Sequence, residues 1–149
     1  AFNYIVKPVT QQKVDKIVTQ LEEVINARND KLTFRYNREL INAYYDDIVY
    51  MESSKRIINL VTNNMEYQFY AKINDVYDEL PELIFGKTRS GCIVNYRYVS
   101  RVDKNNVWCK RGVDGTEIRL DLGRGRYNDF MTDYTEYITS ERGKSRRLW

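Results

Sequence analysis

Two patterns of apolar positions divide this chain. Between residues 14 and 25, apolar side chains recur every three or four residues, which predicts an amphipathic helix; they are Val14, Ile17, Val18, Leu21, Val24 and Ile25. From residue 32 onward the apolar residues form short runs rich in tyrosine and β-branched side chains, which favour strands. These runs are residues 32–36, 39–42, 48–52, 57–61, 66–70, 98–103, 107–110 and 117–121. The sequence therefore predicts a mainly β domain after a helical segment.

Two helices are predicted within the strand-rich part. Asn74 is placed to cap a short helix over residues 75–80, which Pro81 helps to end. The last element, residues 126–139, has one apolar helical face. Its members are Tyr127, Phe130, Met131, Tyr134 and Ile138. Turns at Asn63-Asn64 and Asp114-Gly115 separate strands, and Asp-Gly is typical of a hairpin.

These elements predict four parts of the chain. They are residues 1–28, a strand and a helix; residues 29–31, a linker; residues 32–141, a β domain of usual size; and residues 142–149, a basic tail. The tail would add unspecific attraction to phosphates.

Composition narrows the function classes. No apolar run approaches the roughly 20 residues of a membrane helix, and no signal-peptide pattern is present, so we expect a cytoplasmic protein with no membrane partner. The chain has no histidine, the commonest general base and metal ligand. Its two cysteines, Cys92 and Cys109, cannot build a structural zinc site, and free buried thiols are expected rather than a disulfide or redox sensor. Without a phosphate loop or nucleophile motif, we expect no enzyme, no metal and no cofactor.

Charge is unevenly distributed along the chain. The formal net charge is +3, but residues 86–126 hold ten Lys or Arg against four acids, a local balance of +6. Such asymmetry favours a face that binds phosphates. The alternative is that these charges only solvate exposed strand edges.

Residues 87–95 carry the most specific motif. Their sequence, Lys-Thr-Arg-Ser-Gly-Cys-Ile-Val-Asn, resembles the Arg-x-His-Arg-Ser-x-x-Val-Asn motif of LytTR-type DNA-binding domains, with Lys87 at the first Arg position and Thr88 at the His position. Three more segments resemble the family in the right order. They are residues 46–53 (Asp-Ile-x-Tyr-Ile-Glu), residues 78–81 (a Leu-Pro helix end) and residues 124–127 (Ser-Arg-x-x-Tyr).

This resemblance implies a fold and a function. LytTR domains are elongated stacks of small antiparallel β-sheets, with a short helix and a C-terminal helix, that place loops into successive major grooves of bent DNA. We therefore expect sequence-specific binding of double-stranded DNA at paired promoter repeats, with a second copy on the DNA, to regulate transcription. Departure from the family at Thr88 puts any histidine-dependent contact in doubt.

The first segment resembles another family. Residues 4–6 form an extended apolar piece that ends at Lys7-Pro8, because proline cannot continue a central strand. Strand, Lys-Pro and helix resemble the last strand and helix of a response-regulator receiver domain, whose lysine lies near the phosphorylated aspartate. We expect residues 1–28 to be a receiver remnant that cannot itself accept the phosphoryl group. The whole would be the output half of a two-component response regulator, with an upstream sensor kinase acting through the absent receiver portion.

The motif places the first DNA-binding residues. Arg89 is expected to fork onto a phosphate or a guanine edge, and Ser90 to add a phosphate hydrogen bond. Lys87 would contact phosphate. The alternative for Arg89 is an ion pair with Asp103 or Glu82. Ile93, Val94 and Asn95 would anchor the turn rather than touch DNA.

Two further loops complete the predicted site. Arg124 and Arg126 flank Gly125 where the last helix begins, and arginines there oppose the helix dipole unless an anion is bound. Arg124 fits the base-reading position and Arg126 a phosphate clamp, although the alignment also allows the reverse, or two solvated arginines. In the third loop the resemblance implies that the two basic side chains approach bases and the two serines donate to phosphates, unless the loop is simply a hydrophilic hairpin. Its residues are Ser53, Ser54, Lys55 and Arg56.

Two other functions stay open from the sequence alone. A β-rich protein–protein interaction module would have the same pattern with an incidental basic face. Thirteen tyrosines invite stacking on single-stranded nucleic acid, although most of them fall where cross-strand or core packing explains them.

Overall fold

The computed structural model describes residues 30–141, so the predicted strand and helix of residues 1–28 and the basic tail lie outside the described residues. Within this range the elements are, in chain order, β1 (Lys31–Tyr36), β2 (Glu39–Tyr44), β3 (Ile48–Ser54), β4 (Ile57–Thr62), β5 (Glu66–Tyr70), α1 (Ile73–Glu79), β6 (Phe85–Arg89), β7 (Cys92–Asn95), β8 (Val99–Val102), β9 (Asn106–Arg111), β10 (Thr116–Asp121) and α2 (Tyr127–Glu141). Lys31, predicted to lie in the linker, already begins β1.

The strands form three antiparallel sheets. A five-stranded sheet, in the order β5-β4-β3-β7-β6, lies between the β1-β2 hairpin and a three-stranded sheet in the order β10-β9-β8. All neighbouring strands pair antiparallel. The predicted fold, a mainly β stack of small antiparallel sheets with a short helix and a C-terminal helix, is confirmed.

The central strands β3 and β7 of the five-stranded sheet are buried on both faces, so the domain has two apolar cores. Strand β3 supplies Ile48 and Met51 to one core and Val49 to the other, and all three are fully buried. A register shift between Ile48 and Tyr50 in the β3–β4 pair accompanies this change of face. Each such side chain contributes about 1.5–3 kcal/mol through burial.

Each core has its own cover. The first lies under the β1-β2 hairpin and α1, where Phe34 stacks on Phe69 with ring centroids 4.4 Å apart. The second lies between the five-stranded sheet, the three-stranded sheet and α2, where Tyr96 meets Phe130 edge-on at 5.6 Å. The apolar face of α2 is therefore buried in the second core.

One arginine helps to tie the two larger sheets together. Arg111 of β9 donates from Nε to the Thr62 carbonyl oxygen at 2.6 Å and from Nη2 to the Met65 carbonyl oxygen at 3.2 Å. Both acceptors belong to the β4–β5 turn. The three-stranded sheet is therefore tied to the end of the five-stranded sheet by hydrogen bonds as well as by the second core.

Three local predictions differ from the structure. Helix α1 begins at Ile73 after Lys72, so Asn74 lies inside its first turn and does not cap it. The apolar face of α2 includes the buried Tyr137, which the sequence prediction omitted, while Met131 is only half-buried. Of the tyrosines predicted to pack, Tyr44 and Tyr70 are exposed.

Candidate nucleic-acid interface

The segment of residues 87–95 is a hairpin of two short strands rather than one turn. Strand β6 ends at Arg89, Ser90 and Gly91 form the turn, and β7 begins at Cys92. Side chains alternate along β6, so Thr88 is fully buried while Lys87 and Arg89 lie on the outer face. A buried Thr88 cannot contact DNA in this conformation.

The anchoring part of the motif behaves as the sequence predicts. Ile93, Val94 and Asn95 are all fully buried. The Asn95 side-chain amide donates to the carbonyl oxygens of Tyr45 at 3.1 Å and Ile48 at 2.9 Å. It thereby satisfies buried backbone acceptors at the start of β3 and fixes the far end of the hairpin.

The predicted loop of residues 53–56 is the tight turn between β3 and β4. Lys55 and Arg56 occupy its two central positions with φ of 52° and 68°, the left-handed pair of a type I′ hairpin turn. Their side chains and that of Ser54 are exposed, and Ser53 is half-buried. The Ser53 N–H donates to the Gly91 carbonyl oxygen at 2.8 Å, so this turn lies beside the β6–β7 turn.

The loop before α2 lies across the same hairpin. The Gly123 N–H donates to the Thr88 carbonyl oxygen at 2.7 Å, and the Arg126 N–H donates to the Gly123 carbonyl oxygen at 3.1 Å. A Cβ built on Gly123 would lie 3.4 Å from Cβ of Arg89 and 3.1 Å from Cδ of Arg126. Glycine at this position therefore lets both arginines pack closely against the loop.

Lys87 and Arg126 form a close pair of like charges. Partial burial and then the Arg126 guanidinium lower the pKa of Lys87. Its Nζ donates to Oδ1 of Asn74 and lies 5.2 Å from the centre of the Tyr77 ring, both on α1. Two cations held together in this way favour an anion beside them.

Arg89 has a partner that the sequence did not indicate. Its Nη2 lies 2.7 Å from Oε2 of Glu52 on β3, with 37% and 38% of the two side chains exposed. The predicted alternative, an ion pair with Asp103 or Glu82, named the right kind of contact and the wrong acids. Within residues 30–141, Lys55, Arg56, Arg124 and Arg126 form no ion pair.

The nine predicted side chains therefore fall on three adjacent segments. Two are the turns at one end of the five-stranded sheet, and the third is the loop that enters α2. They comprise Ser53, Ser54, Lys55 and Arg56; Lys87, Arg89 and Ser90; and Arg124 and Arg126. We call this group the basic end of the domain.

Four other arginines of residues 86–126 do not contribute to the basic end, because each is paired with an acid elsewhere on the described surface. The pairs are Arg97–Asp46, Arg101–Glu117, Arg111–Glu66 and Arg119–Asp121. The +6 balance of that stretch thus overstates its free positive charge. For Arg101 on β8 and Arg119 on β10, the two edge strands of the three-stranded sheet, the alternative of exposed strand-edge charges is the better description.

Other site types have little support in the described part of the chain. Residues 30–141 contain no group of three potential metal ligands, and no helix among them is long and apolar enough to cross a membrane. Cys92 and Cys109 are free and buried, and burial raises their pKa values to about 11 and about 12. Neither thiol has the thiolate character of a reactive cysteine.

The domain is thus a stack of antiparallel sheets with basic turns at one end and with its long helix facing the core. The family model of the LytTr DNA-binding domain matches residues 38–132, and the chain belongs to this family. Its function is therefore DNA binding, in a family of transcriptional regulators rather than of enzymes.

Two individual proteins are similar to this chain. Transcriptional regulatory protein NatR of Bacillus subtilis (strain 168) is 24% identical over 102 residues, covering 65% of this chain and 42% of NatR. The chain thus spans less than half the length of that relative. A solved LytTr DNA-binding domain of a Bacillus cereus protein, described as a methyl-accepting/DNA response regulator, has a TM-score of 0.55 at 11% identity, covering 71% of this chain and 96% of that one. This second likeness concerns the fold alone.

Proposed function

We propose that this domain binds double-stranded DNA sequence-specifically at paired promoter repeats and regulates transcription as the output domain of a two-component response regulator. The observation that carries the proposal is the basic end, where two hairpins and the loop before α2 bring cationic side chains together. Five of the six form no ion pair within residues 30–141, namely Lys55, Arg56, Lys87, Arg124 and Arg126. Such a cluster is unfavourable without an anionic partner, and a duplex supplies regularly spaced phosphates.

The turns, and not a helix, would enter the DNA grooves. Phe130 and Tyr137 place the apolar face of α2 in the core, and α2 contains no Lys or Arg, so this helix has no basic face for a major groove. The type I′ turn at Lys55 and Arg56 and the β6–β7 turn at Ser90 project from the sheet instead. A two-stranded ribbon fits the major groove of B-DNA, so each hairpin tip is small enough to enter.

Roles follow from exposure and pairing. Arg89 and Arg124 are the candidates for base edges, since one is held by its ion pair and the other is exposed. Lys87 and Arg126 would clamp one phosphate between them. The remaining side chains would bind other phosphates; they are Ser53, Ser54, Lys55, Arg56 and Ser90.

The wider assignment rests on the relative. NatR is named a transcriptional regulatory protein, and residues 1–28 resemble the end of a receiver domain. In the proposed protein a sensor kinase would act on the receiver, and two copies would occupy the paired repeats.

The test is selection of binding sites from random duplex DNA, followed by titration at several salt concentrations. We expect one enriched motif and a steep loss of affinity with salt, because phosphate contacts release counterions. Arg124→Ala should weaken binding by about 1–3 kcal/mol and relax preference at one base pair, whereas Lys87→Ala should weaken all duplexes alike. No enriched motif would favour the protein-interaction module, and tighter binding to single strands would favour the stacking alternative.

A further inference from the structure

The Glu52 carboxylate is the feature of the basic end that DNA binding alone does not explain. It lies against Arg89 at 2.7 Å, at a surface that would meet a polyanion. A carboxylate there repels phosphates and lowers the general attraction of this surface for DNA. Any favourable effect of Glu52 on DNA recognition would therefore act through the orientation of Arg89.

Three neighbours together fix the Arg89 side chain. Glu52 accepts a hydrogen bond from Nη2. A Cβ built on Gly91 would lie only 3.1 Å from Nη1, so Nη1 rests against the glycine of the turn. Gly123 approaches the other end of the side chain, where its built Cβ would lie 3.4 Å from Cβ of Arg89. The guanidinium is thus oriented before a ligand arrives, which reduces the conformational entropy lost on binding.

We propose that Glu52 is a positioning residue that makes Arg89 a reader of one guanine instead of one more phosphate clamp. A guanidinium has five N–H donors, and one bond to Glu52 leaves enough for a bidentate contact with O6 and N7 of guanine. The fixed orientation selects a planar base edge, and the carboxylate disfavours a phosphate at the same point. This inference rests on the proposed function, and it adds the base that the β6–β7 hairpin recognises.

The test uses the full chain and the duplex enriched by selection. Each base pair of that duplex is replaced in turn. For the wild type and for Glu52→Gln, the Kd for each substituted duplex is divided by the Kd for the selected duplex, and this ratio measures discrimination at that base pair. Arg89→Ala identifies the base pair that Arg89 reads, because an arginine–guanine contact discriminates about 5- to 150-fold. We expect Glu52→Gln to lower the ratio at that same base pair at least about threefold and to strengthen binding to random duplex.

Two further variants separate positioning from simple repulsion. In an Arg89→Ala background, Glu52→Gln should change the ratio no further, since the two side chains act as one unit. Arg89→Lys keeps the charge but lacks the planar fork, so it should lose discrimination while keeping affinity for random duplex. Glu117→Gln breaks the matched pair with Arg101, 3.0 Å apart on the three-stranded sheet, and should change neither quantity.

Two results would overturn the proposal. If Glu52→Gln strengthens binding to selected and random duplexes by the same factor, Glu52 is only a repulsive charge. If Arg89→Ala weakens every duplex equally, Arg89 is a phosphate clamp and has no base to be positioned for. A selection that enriches no motif is a different failure, because it removes the proposed function, and this inference with it, before any variant is compared.

Discussion

Arg56→Gly should make the protein more stable and a weaker DNA binder. Arg56 has φ of 68° in the β3–β4 turn, a conformation that costs a non-glycine residue about 1–2 kcal/mol and glycine almost nothing. Glycine adds unfolded-state freedom of about 0.4–1 kcal/mol, so the net gain in unfolding free energy should be about 0.5–1 kcal/mol. For a domain of this size that raises Tm by roughly 2–5 °C.

Arg38→Gly is the matched control. Arg38 has φ of 67° at the equivalent position of the β1–β2 turn, and its side chain is also exposed. This turn lies towards the other end of the sheet, because its neighbour Tyr36 contacts Tyr67, whereas Ile57 beside Arg56 pairs with Tyr70. Both variants should therefore be stabilised alike, and only Arg56→Gly should lose DNA affinity.

The measurements are thermal unfolding without DNA and DNA titration at several salt concentrations. Loss of one phosphate contact in Arg56→Gly should reduce the slope of log affinity against log salt by about 0.9, with the slope unchanged in Arg38→Gly. An unfolding temperature of Arg56→Gly below that of the wild type, or equal DNA affinity of the two variants, would contradict this prediction.

DNA binding should depend on pH through the Lys87 ammonium group. In the free protein, burial and Arg126 lower the pKa of Lys87, and a bound phosphate would raise it. Binding therefore takes up a proton, and DNA affinity should fall as the pH rises through the lowered pKa. Lys87→Arg should remove that fall, and a titration with the same alkaline profile as the wild type would contradict the assignment. Gly86→Ala should destabilise the domain by at least about 2 kcal/mol, because the added methyl would overlap the ring of the buried Tyr96, and denaturant unfolding would reveal a tolerated methyl as an unchanged midpoint. Deletion of residues 1–28 should leave DNA affinity per protomer nearly unchanged, since both described cores close within residues 30–141; loss of cooperative unfolding on truncation would place the domain boundary elsewhere.

The sequence predicted the order of the other elements well, but it did not predict the strands of the β6–β7 hairpin. Strands β1 to β5 show themselves through β-branched and aromatic runs between turn residues. The sequence of β6 has Gly86 and the polar Thr88 at inward positions, and β7 is buried on both faces, so neither sequence shows the apolar–polar alternation of a half-exposed strand. Only their pairing with each other and with β3 makes them strands, and that pairing is not local in sequence.

The predicted site was limited in the same way. The motif identifies which side chains matter, because a family pattern records residue types at fixed spacing. It cannot identify Glu52 as the partner of Arg89, since 37 residues separate them and several acids are equally available by composition. Counting charges likewise could not show that Arg101 and Arg119 are already paired on the three-stranded sheet. Partners of this kind follow from strand register.

Burial of the central strands β3 and β7 on both faces should also slow their backbone hydrogen exchange. Amides in β3 and β7 have a core on either side, so their hydrogen exchange should require global unfolding, while edge strands and the β1–β2 hairpin open by smaller fluctuations. Each of the two turns of the basic end is therefore joined on one side to one of the slowest-exchanging strands, β3 or β7. We expect them to keep their backbone shape with or without DNA. A signal from elsewhere in a longer protein would then act by bringing two copies together on the DNA repeats, because the backbone of the basic end would not change shape.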